Sequence, residues 1–211
     1  MKLAKIKILL FVFSLACSKT IFAQQKPYSA SNDSILLLNG DQFTTHILDT
    51  LNDVVTLKNP NGKKKNIKLG NERIFEIHFA NGMQKMYYQK DSLQGDYFTI
   101  DEMSYFIKGE QDARKGYKPW LTTVGGAATG FGGGLFGSIL APIPVFAFLI
   151  ACNIPKVRIP HESVSNMEYL KHDTYIMGYE RVARSKRSFN VMKSGVVGLV
   201  VGIVVSICYL K

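Results

Sequence analysis

The chain has 211 residues, room for one modest domain with membrane segments beside it. Its formal net charge is +10, but four of its 26 basic residues (Lys2, Lys5, Lys7 and Lys19) fall in the first 23, where there is no acid; the rest stands at 22 against 16. So diffuse a surplus excludes nucleic acid as a natural partner.

Lys2, Lys5 and Lys7 lead into an apolar run, Ile8 to Cys17, that is too short to span a bilayer. Ile21-Phe22-Ala23 ahead of Gln24 fits a signal-peptidase site, so residues 1–23 read as a signal peptide. The alternatives are a retained anchor, or lipoprotein processing at Cys17 after Ser14-Leu15-Ala16. Cys152 and Cys208 sit near the ends of apolar segments and read as small buried hydrophobes.

Residues 33–92 read as a small exported β domain of five to six strands. Runs at Ser34–Leu38, Gln42–Leu48, Val54–Leu57, Lys63–Leu69, Arg73–Phe79 and Met83–Tyr88 are parted by turn signals. Asn39-Gly40, Asn61-Gly62 and Asn81-Gly82 are hairpin pairs, because both residue types accept positive φ. Alternation places Phe75, Ile77 and Phe79 on one face. His46 and His78 fall on the polar faces, and two histidines without a cysteine do not make a metal site. Lys63-Lys64-Lys65 reads as a solvated hairpin edge that also blocks strand addition.

From residue 100 to 118 the pattern is helical. Asp101 and Glu102 mark the start, and Met103, Phe106 and Ile107 form an apolar face. Pro119 to Pro155 then carries no charge, with seven glycines in its first half and Pro142 and Pro144 in its second; residues 120–152 read as a glycine-rich transmembrane segment with a proline break. Residues 153–193 form a basic loop and an interfacial helix, in which Arg181, Arg184, Lys186 and Arg187 meet lipid headgroups. Residues 194–210, uncharged and rich in Val and Ile, form a second transmembrane helix.

The uncharged block fits one crossing with an irregular tail, or a hairpin bent near Ala141-Pro142-Ile143-Pro144. Eight Lys and Arg between Lys156 and Lys193 favour the single crossing, with that loop in the cytoplasm and the β domain in the periplasm. Gly126, Gly130 and Gly134 recur every fourth residue, as do Gly133 and Gly137, and Gly198 with Gly202. Small residues at that spacing let helices approach closely, either within the chain or in a homo-oligomer. Gly132 to Gly137 also matches a dinucleotide-binding glycine pattern, but no strand or ribose-binding acid accompanies it.

Together these readings give an α+β chain: a small barrel, two amphipathic lead-in helices and two transmembrane segments. The β spacing with the Asn39-Gly40 turn resembles the SH3-like and Sm-like bent-strand barrels. Pro142, Pro144, Pro155, Pro160, Tyr175, Gly178-Tyr179, Ala183, Lys186, Gly195 and Gly198 resemble a family of uncharacterised membrane proteins of Bacteroidetes-type bacteria. That resemblance implies membrane location and no named activity. The functional expectation is a non-enzymatic inner-membrane protein whose periplasmic β domain binds an envelope protein or ligand. No cofactor is implied. The alternatives are a pore built on the glycine faces and an enzyme using His46, His78 or Asp41.

Overall fold

The computed structural model describes residues 33–50, 53–59, 65–93, 95–136 and 140–209. The signal-peptide expectation, Cys17, Lys63, Lys64 and Gly137 lie outside the described residues.

The β domain consists of two antiparallel sheets that share one core. The strands are β1 (Asp33–Leu37), β2 (Gln42–Thr45), β3 (Ile47–Asp49), β4 (Val54–Leu57), β5 (Ile67–Gly70), β6 (Ile74–His78) and β7 (Gln84–Met86). One sheet has the order β2-β1-β6-β7 and the other β3-β4-β5. The stretch predicted as a single strand, 42–48, bends at His46 and passes from the first sheet to the second. Asp33 holds the corner, accepting from Ile47 N and Ala80 N at 2.9 Å each. Ile35, Leu37, Val55, Leu57, Leu69, Ile74 and Ile77 fill the space between the sheets. Among the described residues the sheets do not close into the expected barrel. Two of the three predicted turns are present, with Gly40 and Gly82 at φ of 80° and 85°; Asn61-Gly62 lies outside the described residues.

One register detail sets the orientation of the whole domain. Leu36 pairs with Glu76 but Leu37 pairs with Ile74, so Phe75 is an extra residue in β6. This bulge turns Phe75 away from the shared core and lets Ile74 take its place there. The expectation that Phe75 shares a face with Ile77 and Phe79 is thereby corrected. Phe75 instead packs with Tyr88, Met103, Phe106 and Ile107, on the far side of the sheet.

Met103, Phe106 and Ile107 belong to α1 (Ile100–Gly116). Its start is a capping box: Thr99 Oγ1 accepts from Glu102 N at 3.3 Å, and Glu102 Oε2 accepts from Thr99 N at 2.8 Å. Pro119 follows, and the chain re-enters a helix as α2 (Trp120–Leu135). Then come α3 (Ile143–Asn153), two short 3₁₀ turns at 161–163 and 167–171, and α4 (Asp173–Tyr209).

The predicted interfacial helix and C-terminal span are a single helix. α4 runs 37 residues without a break, about 55 Å at 1.5 Å per residue. The loss of charge after Lys193 is not a break in the backbone. α4 is also the one helix among the described residues that is long and apolar enough to cross a membrane. α2 and α3, with 16 and 11 residues, each fall short of the about 20 that a span requires.

α1 and α2 run parallel to α4, one after the other, in backbone contact through glycine. A Cβ on Gly109 would strike Tyr175 O, and one on Gly178 would strike Phe106 O. Further along, Gly126 faces Val191 and Ser194, Gly130 faces Gly195, and Gly134 faces Leu199 and Gly202. Gly198 and Gly202 answer against Ala127 and Phe131. α3 runs the other way. Gly195 lies against Val145, while Asn153 Nδ2 donates to Ser188 Oγ at 3.0 Å.

α2 and α3 therefore pack antiparallel as a helical hairpin, with Pro142 and Pro144 at the start of α3. Gly133 packs on Ala141 and Gly125 on Phe148, so residues 119 and 155 emerge at the same end. Of the two forms expected for this block, these contacts match the hairpin form. Residues 156–172 return to pack on α1: Val157, Tyr117, Tyr175 and Tyr179 are buried together, and Ser165 N donates to Asp112 Oδ2 at 2.8 Å. The β domain, α1, this loop and the first half of α4 are one contiguous body.

Glycine-to-side-chain changes test this packing. Gly130→Leu places a side chain in the α2–α4 contact and should destabilise the protein by about 1–3 kcal/mol. Gly132→Ala meets nothing within 4 Å and should stabilise by up to about 1 kcal/mol through helix propensity. Thermal denaturation of the detergent-solubilised chain reads both. Equal midpoints for the two variants would contradict the contact.

Candidate functional site

The polar residues of the helices concentrate where α1 meets the first half of α4. Met103, Phe106, Ile107, Glu110, Ala113 and Tyr117 recur at helical spacing, which puts a carboxylate on the apolar face of α1. Glu110 is 2 % exposed. Arg181 Nη1 reaches its Oε1 at 3.3 Å, and Arg114 lies 3.7 Å from its Oε2. Arg114 also donates to Asp41 and to Asn39 O in the β1–β2 turn, and Gln111 Nε2 donates to Gly40 O at 3.1 Å. Thus polar contacts fasten the turn formed by Asn39-Gly40 to α1, beside the apolar packing of Phe75 and Tyr88 on the same helix.

Burial pushes the Glu110 carboxyl above the ordinary range, with nearby Asp41 adding to the effect; Arg181 and then Arg114 oppose it. Two residues on, Asp112 is also buried. Its Oδ2 accepts from Ser165 N, Ser165 Oγ and Tyr175 Oη at 2.8, 2.8 and 2.7 Å. Ser163 Oγ and Tyr179 Oη share a bond of 2.6 Å.

The four cations expected at lipid headgroups all have partners within the chain. Arg181 pairs with Glu110. Lys186 Nζ donates to Ala113 O, Arg114 O and Tyr117 O at 3.1, 2.6 and 3.2 Å, closing the C-terminal end of α1. Arg184 Nη1 donates to Asn153 O at 2.8 Å, and Arg187 Nη1 to Cys152 O and Pro155 O at 3.2 Å, closing the end of α3. Arg187 Nε also donates to Tyr117 Oη at 2.6 Å. Helix ends expose unpaired carbonyls and carry partial negative charge, so cations supplied by α4 satisfy both.

Of the glycines expected to pack helices, Gly137 lies outside the described residues and the others face neighbouring helices. Gly126, Gly130 and Gly134 meet Gly198, Gly202 and their neighbours within one chain. His46 is exposed at the bend between β2 and β3, and His78 is exposed at the end of β6, with its Nε2 3.1 Å from Glu76 Oε1. Among the described residues no three of His, Cys, Asp and Glu stand together as metal ligands.

Beyond this joint the surface changes character. Trp120, Leu121, Val124, Phe136, Phe146, Ile150, Val196, Val197, Val200 and Ile207 are all at least half exposed. They belong to α2 and its C-terminal turn, α3 and the last part of α4. At the boundary between the polar and apolar parts lies a groove of about 650 Å³, entered by Lys118, Trp120, Arg158, His161 and Arg187. The carboxylates Glu110 and Asp112 were the residues that sequence reasoning missed; for Glu110, its place on the apolar stripe of α1 was the available signal.

Comparison of the chain with protein-family models, with curated proteins and with solved structures gives no match.

Glu110 gives a prediction about pH. Its proton is held more tightly in the folded chain than in the unfolded one. That contribution to stability is complete below the ordinary glutamate range and is lost as pH rises through the raised value. Glu110→Gln stays neutral throughout. The melting temperature of the variant minus that of the wild type should therefore increase across this window. A difference that stays flat or falls would mean that burial does not disfavour the ionised carboxylate.

Proposed function

We propose that this chain is a non-enzymatic bacterial envelope protein, in which a β domain that binds or adapts another envelope component is held at the membrane surface by a helical anchor. The observation that carries the reading is the segregation of surface. Large apolar side chains are exposed on α2, α3 and the last part of α4, while the β domain and buried polar joint occupy the opposite end. A water-facing protein rarely leaves such a surface uncovered.

In this reading α4 crosses the bilayer and the α2–α3 hairpin enters it from the same side as the β domain, without crossing. The N-terminal signal then makes that side the periplasm of an inner-membrane protein. The basic residues after Lys156 stay with the β domain, contrary to the charge bias. Four of those cations are already engaged by helix ends or Glu110, which accounts for a loop that does not follow the positive-inside rule.

The non-enzymatic part rests on how the polar side chains are used. Asp112, Ser163 and Tyr175 serve internal hydrogen bonds that fasten the loop. The pore alternative has no such support, because Gly126, Gly130, Gly134, Gly198 and Gly202 already face one another inside one chain.

Accessibility to an impermeant thiol reagent tests the arrangement. In a background lacking the native cysteines, Met83→Cys in the β6–β7 turn and Lys171→Cys in the loop should be modified from the same side of sealed membranes. Both positions are well exposed. Modification from opposite sides would overturn the hairpin arrangement. Release of the whole chain by alkaline carbonate would overturn the anchor itself.

A further inference from the structure

We infer that the groove between the α1–α2 break and the Val157–His161 segment is a binding site for the headgroup of an anionic phospholipid. This rests on the membrane reading above and names a partner at its boundary.

The hairpin creates the site. Lys118 is the last charge before the uncharged block and Arg158 is the second after it, with Lys156 between. Forty residues apart in the chain, they line one groove because α2 goes out and α3 comes back. Both side chains are exposed, and neither pairs with a carboxylate among the described residues. No acid lines the groove. Arg187 closes its floor but is already bonded to Tyr117 Oη, Cys152 O and Pro155 O. The cations left for an outside anion are thus Lys118 and Arg158, with His161 at the rim.

The other wall is apolar. Trp120 and Leu121 are 66 % and 65 % exposed and stand at the start of α2, directly beyond the two cations. An indole at this place suits headgroup depth, where one edge is wet and the ring is not. A guanidinium fork matches the geometry of a phosphate, and a lysine adds a compact charge. A free inorganic anion would use the cations and leave Trp120 and Leu121 without a role. A phospholipid uses both walls: its phosphate meets Lys118 and Arg158, and its acyl chains run down past Leu121 and Val124. Its volume of about 650 Å³ is ample for a headgroup.

Trp120 is the chain's one tryptophan and serves as the reporter. The full chain is reconstituted in phosphatidylcholine vesicles containing a minor fraction of phosphatidylglycerol, with acyl-chain bromine on one lipid or the other. Brominated phosphatidylglycerol should quench Trp120 about fivefold or more beyond its share of the bilayer. The double variant Lys118→Gln, Arg158→Gln should lose that enrichment and keep its quenching by brominated phosphatidylcholine. Lys171→Gln, outside the groove, should keep both. Quenching in simple proportion to lipid composition, or enrichment that survives the double variant, would overturn the site while leaving the membrane reading in place. Inorganic phosphate that abolishes the enrichment, where chloride of equal ionic strength does not, would assign the groove to free phosphate instead. No quenching by either brominated lipid would overturn the membrane reading as well.

Discussion

The rest of the structure hangs on the approach of α4's backbone to α1 and α2. Glycine at 109, 126, 130 and 134 on one side, and at 178, 198 and 202 on the other, removes the side chains that would hold the helices apart. What remains is carbonyl against Cα, over nearly the whole length of α4. Such contacts draw on dispersion and on weak Cα–H···O bonds, each small and useful only in number. They also fix direction. A partner that must match small residues along many turns has little freedom to slide or to cross steeply. Once α1 and α2 lie parallel to α4, the hairpin must return through α3, and the loop from 156 onward must land beside α1.

That landing brings the chain's cations to places where carbonyls end. Lys186 meets three backbone oxygens at the end of α1, and Arg184 and Arg187 meet those at the end of α3. A single turn or two of α4 therefore completes two other helices. Glu110 and Asp112 complete the same joint from the opposite charge. Carboxylates inside a helix bundle are costly unless they gain partners, and these gain arginines, hydroxyls and a backbone N–H. The joint holds the β domain and the loop in one orientation, since its partners come from both.

Much of this was legible in the amino-acid order, because much of it is local. The Asn39-Gly40 and Asn81-Gly82 turns, the alternation in the strands and the glycines every fourth residue are each decided within a few positions. The elements that were missed depend on distant residues. Phe75 leaves the shared core because of its pairing with β1, about forty positions away. The direction of the uncharged block depends on which helix its glycines meet. The basic stretch from Arg181 to Arg187 looks the same whether its cations face phosphate or carbonyl. Charge pattern marks the end of the polar part of α4 clearly, but a helix backbone does not register that change. Glu110 and Asp112 drew no notice in the sequence, although the stripe of apolar residues runs through Glu110.

The unbroken course of α4 has a mechanical consequence. Its N-terminal half is locked to α1 and the 156–172 loop through Glu110, Tyr175 and Tyr179, and α1 in turn carries the β domain; its C-terminal half carries the apolar surface, with no glycine pair left unpacked among the described residues to act as a hinge. A rod of about 55 Å that tilts by about 10° moves its far end by about 10 Å. In the proposed membrane arrangement, a change in bilayer thickness or in lateral packing that alters the tilt of α4 would be turned into a swing of the β domain along the membrane surface. The helix is a lever arm, and the β1–β2 turn is what it carries.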